Sequence, residues 1–488
     1  MPKFICFIAL IAILNTSCAQ TQPNNVYDKA TEDTIKMVEN NLSGSVQIQD
    51  SVNTWNIEER MKAKEIYGLS IAVIRNYKIA WVKAYGIADK DANTPVTTQT
   101  LFQAASISKS LNSVGVLKLA QDKKIDLYTD INTYLKSWQF PYDTVSHGKK
   151  ITIANLLSHT AGLTVHGFAG YEPRDSIPTL QQVLDGKRPA NSAAVRSMFE
   201  PGLRSEYSGG GTTISQMIVM DVSKQPYAVY MQKNVLDPLG MTMSSYMQPA
   251  AKEKEKYLST GYRGSGEAVK GNYHIYPEQA AAGLWTNPTD LSKYIIETQL
   301  SLQGKSNKVL NKEMTKLRLT PYIDSNAAFG VFIVTRGGEK YFSHGGANEG
   351  FRSQYYGSFD GGNGVVVMVN SDNGSILDEV INSVAAVYAW KDFYKPTIKK
   401  AIAVTGDMIN AYTGKYVLFK DTVTINFSGR PMLSVSNGEN YPIYFSTEQD
   451  FFSPELSFAL KFEKDANGKV TDIYFKNNGG EFRAKRLD

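Results

Sequence analysis

Two groups of strand-forming runs stand far apart in this chain, with helix-forming sequence between them, and that arrangement limits the fold more than any other feature. The first group is "GLSIAVIR" and "IAWVKAYG", from Gly68 to Gly86. These are two β-branched, apolar runs around a short polar "NYK", which reads as a hairpin. The second group comes more than two hundred residues later. "AFGVFIVTR", "KYFSHGG", "FRSQYYGS" and "GVVVMVNS" follow one another with Gly-rich turns between them. Between the groups, "SKSLNSVGVLKLAQDK" has Leu111, Val114 and Leu117 at three-residue spacing, with Ile107 one turn earlier, which predicts a helix with one buried face. From about Ile151 to Gly240 the pattern is mostly helical with long loops, as in "ITIANLLSH", "TLQQVLDG" and "TTISQMIVMDVSK". "ILDEVINSVAAVYAWKDF" then reads as a long amphipathic helix. Strands joined by tight turns pair antiparallel, so the expectation is one discontinuous α/β (α+β) domain. Its antiparallel sheet is flanked by helices, with a helical subdomain inserted.

The texture changes after Lys400. "YTGKYVLF", "TVTINF", "MLSVS", "YPIYFS", "SFALKF" and "VTDIYFK" are short alternating strands split by turn sequences such as "SNGEN" and "DANGK". Six strands in so short a stretch predict a small all-β domain, barrel-like or a sandwich. A boundary near Ile398 gives a large domain over 20–397 and a small one over 398–488. With 488 residues, the chain is long enough for both. Gln20 to about Asn40 is polar and reads as a lead-in.

The first residues read as an export signal over 1–19. Lys3 precedes the apolar run "FICFIALIAIL", followed by "NTSCAQTQPNN". The run is too short to span a bilayer comfortably, so no integral membrane span is expected. Both cysteines, Cys6 and Cys18, fall in or beside this segment. Cleavage after Ala19 leaves a mature chain without cysteine. Cleavage before Cys18, with lipid on its sulfur, is the alternative, disfavoured because Asn15 stands where a lipobox has an aliphatic residue. Either way the protein is expected in the periplasm or secreted, without disulfide or cysteine–zinc chemistry. The net charge of +5 has no basic block behind it, which argues against a nucleic-acid partner.

Ser106 and Lys109 stand three apart in "FQAASISKSLNS". On a helix that spacing puts them on one face, where the lysine can polarise the hydroxyl and help move its proton. Backbone N–H groups at the helix start favour developing negative charge. Neither Ser108 nor Ser110 has a lysine three residues on, and an N-cap serine is the alternative role for the motif serine. Tyr207, in "FEPGLRSEYSGGGTTIS", lies between a Pro-Gly turn and three glycines, poised to act as a general base. His344 ends a predicted strand in "YFSHGGANEGF". The small residues after it leave room for substrate, and the N–H of Ala347 can hold an oxyanion. His159 and His166 are seven apart without an acidic pair and read as structural or hydrogen-bonding, so no metal site and no cofactor is expected. "DANGK" is a hairpin turn rather than a calcium loop, and Gly209 to Gly211 form no phosphate loop.

In this order these stretches resemble the serine β-lactamase and penicillin-binding-protein superfamily, in the branch of class C β-lactamases, D-aminopeptidases and β-lactamase-fold esterases. "LFQAASISKS", "NLLSHTAGL", "VLDPLGM", "AAGLWTNPTDLSKY", "SHGGANEGF" and "VVVMVNSD" extend the likeness over roughly Gly68 to Phe393. The resemblance implies that Ser106 is the nucleophile, that Lys109 relays its proton and that Tyr207 completes the base pair. It implies that His344 and Gly346 line the third wall and that the N–H groups of Ser106 and Ala347 form the oxyanion hole. It also implies a lipocalin-like module at the C-terminus. The departure is Tyr207-Ser208-Gly209, where the branch has Tyr-x-Asn, so substrate-amide recognition at Gly209 is altered. Histidine in place of lysine in the third element removes a permanent cation for a substrate carboxylate. Arg352 is a candidate carboxylate contact or a solvated strand charge. The expectation is an exported serine hydrolase acting on a small ester, amide or peptide through an acyl-enzyme. The alternatives are a D-amino-acid peptidase, a β-lactamase or penicillin-binding protein, and a non-catalytic protein that binds peptides or acyl compounds.

Overall fold

Gly68–Arg75 and Lys78–Asp89 form the expected hairpin. Its turn is tighter than the sequence suggests: Arg75 already pairs with Lys78, leaving only Asn76 and Tyr77 in the loop. Both have positive φ, at 51° and 62°, the conformation whose twist matches a two-residue hairpin. The computed structural model describes residues 27–487, apart from 420, 428, 437–439, 457, 478 and 479, so the expected export signal with Cys6 and Cys18 lies outside the described residues.

The hairpin belongs to a seven-stranded antiparallel sheet. Its order runs Thr94–Pro95, Lys78–Asp89, Gly68–Arg75, Gly364–Val369, Phe351–Ser358, Glu339–Asn348, Phe332–Arg336. The two distant strand groups meet at the centre, where Leu69 pairs with Val369 and Ile74 with Gly364. Both central strands are buried on two faces, so they read as continuous apolar runs rather than alternating ones. Leu69, Ile71, Val73, Val365 and Val367 pack on one side under Ser375–Val387. Ile74, Val366 and Met368 face the larger core with Ile107, Leu111 and Leu117.

Two helices differ from the sequence expectation. The polar lead-in contains a helix, Lys29–Glu39, capped by Asp28, whose carboxylate accepts from Thr31 N at 2.7 Å. Only its inward pair, Ile35 and Val38, is apolar and buried, which is why the segment reads as polar. Ser108–Gln121 is buried on nearly every face and not on one, because it threads between the sheet and the helices Gly209–Ser223 and Tyr227–Met231. Its polar positions are satisfied internally: Asn112 donates to Ser215 Oγ at 2.9 Å and accepts from Tyr227 Oη at 3.0 Å.

The C-terminal sheet has nine strands where six were expected. "YPIYFS" breaks at Ile443 into Asn440–Pro442 and Tyr444–Phe445, and Asp450–Phe452 and Gly480–Arg486 are additional. The two end strands of the sheet are those that adjoin at Ile443, so the sheet curls back on itself into a nearly closed, barrel-like form. Its core is aromatic, with Tyr412, Phe445, Phe451 and Phe462 stacked. Buried ion pairs tie it to the larger body. Arg60 bridges Glu379 at 2.6 Å and Glu455 at 2.9 Å, and Lys64 also pairs with Glu455. Among the described residues no helix is long and apolar enough to cross a membrane.

Candidate active site

The strand Phe102–Gln103 ends at a strained corner. Ala105 has φ +50°, a conformation that costs an L-residue with a Cβ on the order of 1–3 kcal/mol. Ser106 sits in the single 3₁₀ turn Ala105–Ile107, which runs into the helix Ser108–Gln121. Neither helix start has a side-chain cap, so Ser106 does not act as one. Lys109, in the first turn, donates to Ser106 Oγ at 2.9 Å and to Ala281 O at 2.7 Å. The other serines of the stretch are committed elsewhere. Ser108 Oγ accepts from Leu284 N at 3.0 Å, Ser110 Oγ donates to Gly330 O at 2.8 Å, and Ser113 Oγ donates to Ser110 O at 2.8 Å.

Tyr207 approaches from the other side. Ser208 caps the helix Gly209–Ser223, its hydroxyl accepting from Gly211 N at 2.9 Å, and this cap fixes the residue before it. The Lys109 ammonium lies 5.0 Å from the centre of the Tyr207 ring. The ring also packs on His159, centroids 4.3 Å apart. His159 is buried with φ +59°, and its Nδ1 accepts from Ser208 N at 3.2 Å. Burial first, then the charge of Lys109, holds its pKa well below the usual imidazole value, so it is neutral. The sequence reading of His159 as structural or hydrogen-bonding fits its bond to Ser208 N but did not include this contact with Tyr207. The signal lay in "NLLSHTAGL", one of the stretches that carry the family likeness.

The third wall is the strand Glu339–Asn348. Its pairing with Phe332–Arg336 stops at Ser343, and the strand edge beyond faces the turn that bears Ser106. Gly346 makes that approach possible: a Cβ there would lie 2.1 Å from Ala104 O and 2.3 Å from Ser353 Oγ. His344 packs on Phe332, centroids 5.3 Å apart, and its Nδ1–H donates to Gly345 O at 2.7 Å. Burial, reinforced by the charge of Lys109, pushes its pKa down to about 3. It is therefore a neutral wall and not a cation for a substrate carboxylate.

A cleft of about 450 Å³ opens over this point. The structure brings Ser106, Tyr207, His344, Gly346 and Ala347 to its lining, with Lys109 behind the serine. Gly209 is buried and does not line the cleft. A Cβ on it would lie 3.0 Å from the Phe168 ring and 3.2 Å from His166 O, so Phe168 crowds the position where the branch has asparagine. Arg352 lines the cleft but is spent on Asp372 at 2.8 Å and on the carbonyls of Asn348 and Phe351. Among the described residues no cluster of three or more His, Cys, Asp or Glu is arranged to hold a metal.

A discontinuous antiparallel sheet with a serine–lysine pair at its helical interface defines a class of protein, and the comparisons agree with it. The chain belongs to the Beta-lactamase family, whose profile matches residues 55–387. It is 26% identical over 321 residues to Protein flp of Staphylococcus aureus, a match covering 64% of this chain and 61% of that protein. The chain thus spans about three fifths of that relative's length. In fold it is similar to an octameric penicillin-binding protein homologue from Pyrococcus abyssi. That match has a TM-score of 0.60 and 19% identity, and it covers 88% of this chain and 98% of the other. It is also similar to the D-amino acid amidase of Ochrobactrum anthropi, with TM-score 0.56 and 19% identity, over 74% of this chain and 98% of the other.

Proposed function

We propose that this protein is a serine hydrolase that cleaves small esters or amides through an acyl-enzyme on Ser106. The observation that carries the reading is the 2.9 Å contact between Lys109 Nζ and Ser106 Oγ, opening on a cleft beside Tyr207. Lys109 and Tyr207 form the pair that takes the proton of Ser106 as its Oγ attacks the carbonyl carbon. The N–H groups of Ser106 and Ala347 hold the oxyanion. The carbon–oxygen or carbon–nitrogen bond then breaks, and the leaving group departs with that proton. Water, deprotonated by the same pair, attacks the acyl-Ser106 ester; the Oγ–carbon bond breaks, the pair returns the proton to Oγ, and the acid is released. The solved neighbours that include an amidase and a β-lactamase/D-alanine carboxypeptidase are consistent with acyl transfer.

Two features favour esters and simple amides over β-lactams or peptides ending in a carboxylate. His344 is neutral where a lysine would supply charge, and Gly209 brings no side-chain amide to the substrate. The same reading makes 1–19 an export signal, places the protein in the periplasm or outside the cell, and takes 398–488 as a second domain. A panel of short-chain nitrophenyl esters, D-amino-acid amides, dipeptides and nitrocefin tests it. Turnover of esters or amides that Ser106→Ala abolishes is expected. Absence of turnover throughout, or turnover that survives in Ser106→Ala, contradicts it.

A further inference from the structure

Among the described residues two charged side chains line the cleft, Arg352 and Asp378, and they differ in how they are occupied. The Arg352 guanidinium is neutralised by Asp372 and holds two backbone carbonyls. Lys109, behind the serine, is likewise spent on Ser106 Oγ and Ala281 O. Asp378 stands in the first turn of the helix Ser375–Val387, is exposed, and forms no ion pair or hydrogen bond among the described residues. The packing around its carboxyl raises its pKa above the usual carboxylate value, and the Arg336 charge opposes this through space without reaching ion-pair distance. The rest of the lining is neutral or apolar and includes Phe332, Leu377 and Gln354. The cleft therefore presents one uncommitted charge to a ligand, and that charge is negative.

We propose that Asp378 selects substrates that carry a cationic group, an amine in the first instance, and disfavours those with a free carboxylate. The inference rests on the serine-hydrolase reading of the same cleft and names its substrate class. Asp378 is a specificity residue that touches the substrate's charged end and takes no part in bond breaking. The partly solvated setting sets the scale. An exposed ion pair joined by a charge-assisted hydrogen bond gives a preference of about fivefold to tenfold in kcat/KM at low salt, shrinking as salt rises.

The test uses the full-length protein and nitrophenyl esters of matched length. Aminohexanoyl, heptanoyl and monoadipoyl esters place an amine, a methyl or a carboxylate at the end of the acyl chain. A second series places the same three groups on the alcohol. The amine member is expected to have the highest kcat/KM in at least one series, with the carboxylate member lowest there. Asp378→Asn should cut the amine-to-neutral ratio toward one, and Asp378→Lys should invert the order of amine and carboxylate. Equal kcat/KM for the three groups in both series, or a preference for the carboxylate, overturns the proposal while the hydrolase reading stands. An amine preference that Asp378→Asn leaves intact overturns the assignment to Asp378. Hydrolysis of none of the six esters contradicts both readings. Where one variant does not fold, the other still tests the assignment, and equal rates or a carboxylate preference in the wild-type series overturn the proposal by themselves.

Discussion

Lys109 Nζ stands between Ser106 Oγ, at 2.9 Å, and Ala281 O, at 2.7 Å, and faces the ring of Tyr207 on a third side. Two of its three donor directions are therefore fixed by position alone, and the ammonium is buried. Lys109→Ala is expected to lower kcat by about three orders of magnitude. Lys109→Arg should be comparably inactive, because a guanidinium donates the same hydrogen bonds but does not accept a proton near neutral pH. Activity in Lys109→Arg within tenfold of wild type, measured as initial rates on a nitrophenyl ester, would reduce the lysine to a donor.

Tyr207 is held by ring contacts with His159 and Phe332 and by its backbone, where the His166 imidazole donates to Tyr207 O at 2.6 Å. Removing only the hydroxyl leaves all of these in place. Tyr207→Phe should therefore keep the wild-type Tm while kcat falls about a hundredfold or more. A variant with normal Tm and near-normal kcat would remove the phenol from proton transfer.

Restoring the branch's asparagine at Gly209 should fail alone. The new Cβ meets the Phe168 ring at 3.0 Å and His166 O at 3.2 Å, tighter than ordinary contact. Gly209→Asn is expected to cost about 1–3 kcal/mol by overpacking, read as a lower denaturation midpoint. Adding Phe168→Ala should recover part of that loss, since the two changes share one space. Strict additivity of the two would show that Phe168 is not what crowds Gly209.

What could be read in the sequence, and what could not, follows from the range of each interaction. The Ser106–Lys109 pair was legible because three-residue spacing on a helix is local geometry. The helix itself begins two residues later than Ser106, behind a 3₁₀ turn. The central strands were legible from their apolar runs, whereas Gly480–Arg486 was not: four of its residues are charged, and only Ala484 is buried. The helix Lys29–Glu39 hid for the same reason, with Ile35 and Val38 as its whole buried face. His159, Phe168 and Asp378 meet the site only through tertiary packing; "NLLSHTAGL" marks His159 through the family likeness, and no local pattern marks the other two. The sequence singled out Gly209 as the odd residue. Only the structure shows a phenyl ring against the place where its side chain would begin.

Glu278 gives the chain a pH-dependent stability. It is fully buried, neither carboxylate oxygen has a partner among the described residues, and burial raises its pKa to about 7. The unfolded chain releases this proton near the ordinary glutamate value of 4.5, so between the two values the folded state binds more protons. The contribution is present below pH 4.5 and is lost as pH rises through about 7. Glu278→Gln keeps the shape without the charge. It should remove this loss, raising stability above pH 7 relative to wild type by on the order of 3 kcal/mol. Denaturant titrations across that range that give parallel curves for the two proteins would show that Glu278 is solvated or paired.

The central claim is that Ser106 forms a covalent bond to substrate, and intact-protein mass spectrometry after exposure to a fluorophosphonate tests it most directly. The account predicts one adduct per chain, mapped by fragmentation to Ser106, slowed sharply in Lys109→Arg and absent in Ser106→Ala. An unmodified wild-type mass, or an adduct that persists in Ser106→Ala, would contradict it.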